Sequence, residues 1–488
     1  FLKYKDFKPY VDYFNSMEDE NIAQAIPNAR ASQWMEENIP LFECSQKNFE
    51  EMYYYRWWTL RKHIKETPVG YGMTEFLVNR SYADKYNLIA CAIGHHIYES
   101  RWLRNSEYLN QIIHTWYRGN EGGPMAKMTK FSSWNADAVL GRYMVDGNKE
   151  FLLDMVKDLE AEYARWEKTN RLPNGLYWQG DVQDGMEESI SGGRRKQYAR
   201  PTINSYMYGN AKALSLIGIM TGDEGMAMKY GLKADSIKTL VQDKLWNTDH
   251  HFFETMRGDA SAEVREAIGY IPWYFNLPDA SSKYTVAWKE VMDEKGFSAP
   301  YGLTTAERRH PEFRTHGVGK CEWDGAIWPF ASAQTLTAMA NFMNNYPQTV
   351  LTDSVYFHHM ERYVESQHHR GRPYIGEYLD EVTGYWLKGD QERSRYYNHS
   401  TFNDLMITGL IGLRPRMDNT VEVNPLIPEG KWDYFCLDNV LYHGRNLTIL
   451  WDKDGSRYQR GKGLHIYVDG KEVGHADTLT RVLCENVL

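Results

Sequence analysis

The chain has 488 residues, 42% of them hydrophobic and 25% charged, values typical of a globular protein too large for one small core. Its net charge of −9 argues against nucleic acid, which calls for clustered Lys and Arg, and disfavours a strongly anionic substrate unless a local Arg pocket overrides it. The five cysteines are scattered and odd in number, with no zinc spacing, and no apolar run is long enough to span a membrane.

Residues 1–46 are mixed and aromatic and read as an N-terminal strap. From 47 to 416, apolar residues recur at helical spacing. Twelve helices are expected, at 48–64, 83–98, 103–118, 133–146, 149–168, 203–221, 223–243, 263–275, 281–294, 328–345, 350–366 and 401–412. Some are joined by tight turns, such as Asp146-Gly147-Asn148 and Thr221-Gly222-Asp223. Others are joined by long loops at about 66–82, 119–132, 169–202, 295–327 and 367–400, and loops of that length are usually functional. Short turns at one end and long loops at the other describe six helical hairpins closed into a ring. The expected fold is therefore mainly α, an (α/α)6 barrel with its pocket on the long-loop face. From 417 to 488 the pattern alternates apolar and polar, with turns at Asp454-Gly455 and Asp469-Gly470, as in a small antiparallel β domain that leans on the barrel.

Two of the long loops carry chemistry. The first holds Asp181, Asp184, Glu187 and Glu188 directly after Trp178 and Gln179, followed by Gly-Gly-Arg-Arg-Lys at 192–196. The second holds Glu377 between Gly376 and Tyr378, with Trp386 beyond it. In a closed ring both loops face one cavity. A carboxylic acid and a carboxylate facing each other are what glycoside hydrolysis requires, one to protonate the leaving oxygen and one to activate water or attack carbon. The aromatic content of 14%, with 16 Trp and 35 Tyr, suits a carbohydrate partner, because aromatic faces stack on sugar rings; packing between helices accounts for part of it. A third segment, Cys321-Glu322-Trp323-Asp324-Gly325-Ala326-Ile327-Trp328, adds two candidate platforms.

These pieces resemble the six-hairpin glycosidases of the trehalase, processing α-glucosidase and mannosylglycerate hydrolase group. Gln183-Asp184-Gly185-Met186-Glu187-Glu188-Ser189 matches the Gly-Met and Ser positions of the segment that bears that group's acid. Trp323-Asp324-Gly325-Ala326-Ile327-Trp328 matches its Trp-x-Gly-Pro-x-Trp segment, and Glu377-Tyr378 with Thr383-Gly384 matches the segment of its base. The resemblance covers about 47–415 and implies an inverting enzyme with Glu187 as acid and Glu377 as base. Two departures stand out. The family acid is an Asp, so Asp184, or Asp181 or Glu188, stays open as an alternative, and Ala326 replaces the usual Pro.

Further candidates for substrate contact are Trp178, Gln179, Arg56, Trp58, Trp134, Asp137, Arg200, Trp323, Asp324, Trp328, Tyr378 and Trp386. For an Arg or Asn at a helix start, capping or bracing is an equal expectation. The His-His pairs at 95–96, 250–251, 358–359 and 368–369 lack metal-ligand spacing, and no cofactor or metal is expected. The expected substrate is an oligosaccharide or glycan, an α-glucoside or α-mannoside by the resemblance, with an arabinoside also open. A lyase or epimerase on the same barrel, or an inactive carbohydrate-binding protein, are the rival expectations. The start at Phe1 and polymer-directed chemistry suggest a processed chain that works in the periplasm or outside the cell; oligomeric state is not legible.

Overall fold

The computed structural model describes residues 1–488. The N-terminal segment is more ordered than a strap: it holds helices α1 (Lys8–Ser16) and α2 (Asn28–Asn38) and a strand, Leu41–Cys44. The helical body follows as α3 (Lys47–Lys62), α4 (Ile93–Ser100), α5 (Glu107–Arg118), α6 (Asn135–Asp146), α7 (Lys149–Asn170), α8 (Pro201–Thr221), α9 (Glu224–Leu240), α10 (Ile271–Tyr274), α11 (Ser282–Thr285), α12 (Pro329–Asn345), α13 (Asp353–Ser366) and α14 (Asn403–Leu405).

The even-numbered helices α4, α6, α8, α10, α12 and α14 touch in that order, and α14 returns to α4. Their sequences explain the placement. α8 is apolar or small on nearly every side and is buried almost throughout its first four turns, as a helix surrounded by others must be. α5 and α7 are one-sided: α5 buries Leu109, Ile112, Ile113 and Trp116, and α7 buries Leu152, Met155, Leu159 and Tyr163. The tight turns are set by caps. Asn148 accepts the Phe151 N–H at the start of α7, and Asp223 accepts that of Met226 at the start of α9.

Helix limits depart from periodicity where the backbone is constrained. The helix expected at 83–98 starts only at Ile93, because Tyr86 and Asn87 adopt φ of 63° and 62°. The one expected at 263–275 shrinks to a 3-10 turn, Ala267–Tyr270, and α10, with Pro272 in its first turn. The last expected helix is α14 followed by a π turn, Met406–Leu410.

The C-terminal residues form an antiparallel sheet in the order Leu41–Cys44, Tyr434–Tyr442, Arg445–Asp452, Gly463–Val468, Lys471–Ala476. Its first strand comes from the N-terminal segment, with Leu41 opposite Asp438 and Cys44 opposite Phe435. One cluster of 134 buried apolar residues runs from Tyr4 to Cys484, so sheet and helices share a core. All five cysteines are free, and no helix is long and apolar enough to cross a membrane.

Candidate active site

The acid loop is closed at its base by pairing of Trp178–Gln179 with Tyr198–Ala199. Asp181 caps a 3-10 turn, Val182–Asp184, by accepting the Val182 N–H at 2.9 Å. Gly185 ends that turn at φ 70°, and a Cβ there would meet the Cys91 sulfur at 2.3 Å. Only glycine lets the loop lie this close to the segment before α4.

The geometry separates the two candidate acids. Asp184 is fully buried, with Oδ2 2.6 Å from Arg200 Nε and 2.5 Å from the Thr202 hydroxyl, while Ser132 donates to Oδ1. Arg200 also reaches Ser191 Oγ at 3.2 Å. Asp184 and Arg200 therefore bolt the loop to the first turn of α8, and neither presents a free polar atom to a ligand. Glu187 is in a different situation: it makes no ion pair and keeps partial contact with solvent. Burial of its carboxyl, with added repulsion from Asp181 and Glu377 and opposed by Arg194, pushes its pKa up to about 7. Glu188 turns away at φ 68°, with Oε1 3.1 Å from Arg194 and 3.8 Å from Lys320.

Glu377 comes from the loop between α13 and α14. Gly376 lets the chain pass Tyr374 and Trp386, since a Cβ there would lie 2.7 and 3.0 Å from their rings. Ser394 Oγ accepts the Glu377 N–H at 3.3 Å. The carboxylate is 3% exposed and stands between two cations, 3.6 Å from Lys388 Nζ and 3.4 Å from Arg393 Nη2. Its Oε1 has no hydrogen-bond partner in the protein. Glu377 is thus matched by opposite charge, while Glu187 is raised by burial and by other carboxyls.

A third carboxyl completes the group and was not anticipated. Glu75, in the loop between α3 and α4, accepts the Tyr397 hydroxyl at 2.5 Å through Oε1, and its Oε2 is buried without a partner. Burial pushes its pKa up to about 8, with Glu377 and Glu187 adding to the shift. The length of the 66–82 loop pointed to that region, yet one Glu among Tyr-Gly-Met-Thr-Glu-Phe carries no spacing signal. Lys388, Arg393 and Cys321 also border the site and were likewise missed.

The aromatic wall is a stack. Trp323 and Trp328 lie 4.5 Å apart at 20°, and Trp328 and Tyr378 lie 4.5 Å apart at 16°. Both indole N–H groups lack a protein partner, whereas the Tyr378 hydroxyl donates to the Lys320 carbonyl. His399 abuts this wall, 6.0 Å from Trp328, and burial holds its pKa well below the usual histidine range. Asp324 shapes the 314–325 loop by accepting the N–H groups of His316 (2.6 Å) and Gly317 (3.0 Å).

The other sequence candidates are held by partners of their own. Arg56 ties α3 to Gln367 (2.8 Å) and Ser400 (2.9 Å), the two ends of the base loop. Trp58 lies toward α1, donating to Asn15 at 2.8 Å and packing on Phe14 and Tyr55. Trp134 is buried among His95, Tyr206, Tyr274 and Phe330. Asp137 accepts the Tyr98 hydroxyl at 2.6 Å, with its pKa pushed up to about 7 by burial. Trp386 donates to the Ser366 and His368 carbonyls and packs on Tyr374. Gln179 is buried and accepts the Gly180 N–H, and Trp178 is half-buried at the loop's base. Away from the pocket, His250, Glu254 and Glu263 come close together; Glu254 also accepts from Ser261 and Asn247.

Comparison with known proteins finds glycoside hydrolase domains along the chain. Residues 413–475 match the glycosyl hydrolase family 65 C-terminal domain. A solved chain described as "Sialidase" is 83% identical over 100% of this chain, with a TM-score of 0.99, but this chain spans only 45% of it. Two remote structures share the fold at 12% identity. One is a GH78 family rhamnosidase of a Bacillus species (TM-score 0.59, covering 88% of this chain and 41% of that one). The other is a GH63 mannosylglycerate hydrolase from Thermus thermophilus in complex with glucose (TM-score 0.53, 73% and 99%). Residues 85–400 match the mannosylglycerate hydrolase MGH1-like glycoside hydrolase domain, and the chain belongs to that family.

Proposed function

We propose that the helical body is an (α/α)6 barrel that hydrolyses a glycosidic bond with inversion, acting on a chain end, with Glu187 as general acid and Glu377 as general base. The observation that carries this reading is the contrast between the two carboxyls. Glu187 has its pKa raised to about 7 and can hold a proton to give away. Glu377 sits against Lys388 and Arg393, which compensate the negative charge of a base. Their environments push them into different roles, as the acid and base of one reaction require.

The proton balance is simple. Glu187 gives its proton to the leaving oxygen as the glycosidic bond breaks. Glu377 takes a proton from the water that attacks the opposite face of the sugar. A proton exchange through solvent then resets both groups. Glu75, neutral below about pH 8 and hydrogen-bonded to Tyr397, is placed to donate to a substrate oxygen without adding a second negative charge beside Glu377.

For the sugar, the resemblance seen in the sequence implies an α-glucoside or α-mannoside, the family is described by a mannosylglycerate hydrolase, and the printed names of the similar rhamnosidase and sialidase add two more classes to test. A panel of aryl α-glucoside, α-mannoside, α-rhamnoside, arabinoside and sialoside, assayed with the unaltered chain and with Glu187→Gln and Glu377→Gln, tests the assignment. Turnover of none of them, with glycan binding unchanged in both variants, would favour a binding protein instead.

A further inference from the structure

An anionic chain gathers cations beside its candidate carboxyls. The chain carries −9, yet four cations from three separate loops stand against two of these carboxylates, Arg194 and Lys320 at Glu188 and Lys388 and Arg393 at Glu377, with Arg195 and Lys196 next to Arg194 in the chain. Arg194, Arg195 and Lys196 are exposed on the acid loop. Lys320, 65% exposed, comes from the loop before α12, and Lys388 and Arg393 come from the base loop.

Their convergence is fixed by shared contacts. Glu188 lies within 3.1 Å of Arg194 and 3.8 Å of Lys320, so it joins the acid loop to the 314–325 loop. Tyr378 joins that loop to the base loop: its hydroxyl donates to the Lys320 carbonyl and its ring lies 5.3 Å from Lys388 Nζ. The Cys321 thiol feels Glu187, Glu377, Lys388 and Arg393 together. Against these cations stand Glu188 and Glu377, with Glu187, Asp181 and Glu75 close by. Arg195 and Lys196 have no carboxylate within 4.0 Å. A solvated charge run would account for 194–196 alone, but not for cations delivered to the same rim from two other loops.

Position follows from the chemistry. The loop that carries the acid borders the leaving group, because the acid must reach the leaving oxygen. Resting on the hydrolase assignment above, we propose that the leaving-group side of this pocket takes an acidic glycan, with a uronate carboxylate met by Arg194, Arg195, Lys196 and Lys320. Arg and Lys bind carboxylates through charge-assisted hydrogen bonds, and a cationic mouth on an anionic protein concentrates such a substrate where it is needed.

The test is a calorimetric titration of the full chain with three probes of similar size: an unsubstituted galacturonic acid trisaccharide, its methyl ester, and a sulfated neutral trisaccharide. The free acid is expected to bind about tenfold more tightly than the ester at low salt, with the advantage shrinking at about 0.5 M NaCl. The triple variant Arg194→Gln, Arg195→Gln, Lys196→Gln, with an unchanged melting temperature, should lose that advantage and keep the affinity for the ester. Equal binding of acid and ester, or a triple variant indistinguishable from the parent, overturns the proposal. Tighter binding of the sulfated sugar than of the uronate overturns the choice of carboxylate. No turnover is involved, so failure of the hydrolase assignment would show in the aryl glycoside assays and not in this titration.

Discussion

Arg200, at the start of α8, and Asp184, three residues upstream of Glu187 in the acid loop, form a fully buried ion pair, Nε to Oδ2 at 2.6 Å. The pair sets where Glu187 points without itself facing the pocket. Asp184→Asn leaves a buried guanidinium without its counter-charge, and removing one partner of such a pair costs about 3–5 kcal/mol. The expected outcome is a lower urea midpoint together with lost activity. Glu187→Gln should lose activity at an unchanged midpoint. Equal midpoints for the two variants would place Asp184 in the pocket.

General acid catalysis contributes about 10²–10⁴-fold, and less when the leaving group needs no proton. Glu187→Gln is therefore expected to cut kcat by about that range on an alkyl glycoside or natural glycan, and far less on a dinitrophenyl glycoside. Glu377→Gln should cut both. A Glu187→Gln variant equally impaired on all leaving groups would contradict its role as proton donor.

The pH dependence follows from the same group. An acid with its pKa raised to about 7 is protonated below that value, so kcat/KM should fall as pH rises through about 7. In Glu187→Gln that alkaline limb should disappear from the residual rate. A limb that persists unchanged would assign it to another group.

Glu75 makes a stability prediction with a definite sign. Its pKa rises from 4.5 to about 8 on folding, so the folded state holds the proton more tightly. The stabilisation is complete below pH 4.5 and is lost as pH rises through about 8. Glu75→Gln cannot ionise, so its unfolding free energy should decline less between pH 5 and 8 than that of the parent. Parallel curves would mean that Glu75 titrates normally.

Trp58 is a sequence candidate for substrate contact, but its indole donates to Asn15 and packs on Phe14 and Tyr55. Trp58→Phe should cost about 1 kcal/mol for the lost hydrogen bond, with KM unmoved. A several-fold rise in KM at unchanged stability would return Trp58 to the substrate.

What sequence could and could not supply follows from the kind of signal each residue leaves. α5 and α7 were legible because each repeats an apolar stripe over three or more turns. α10 was not, because one helical turn carries no period and Pro272 marks a start that periodicity alone reads as an interior position, whereas α14 with its π turn lies inside the helix expected at 401–412. The strand Leu41–Cys44 pairs with residues almost 400 positions away, and nothing local announces that. In the site, Glu187 and Glu377 stood out because each breaks the pattern of a long loop. Asp184 looked equivalent until Arg200, Thr202 and Ser132 closed around it, and Glu75 was silent because its meaning lies in Tyr397, over 300 residues downstream. Arg56 and Trp386 have the residue types of a sugar site, yet they work as braces one layer behind it.

In the proposed reaction Glu377 activates water rather than attacking carbon. Proton NMR of the first product formed, on whichever glycoside of the panel is turned over, tests it directly. With Glu377 as general base, the anomer opposite to that of the substrate appears first and then mutarotates. Initial appearance of the retained anomer would contradict that role and make Glu377 a nucleophile.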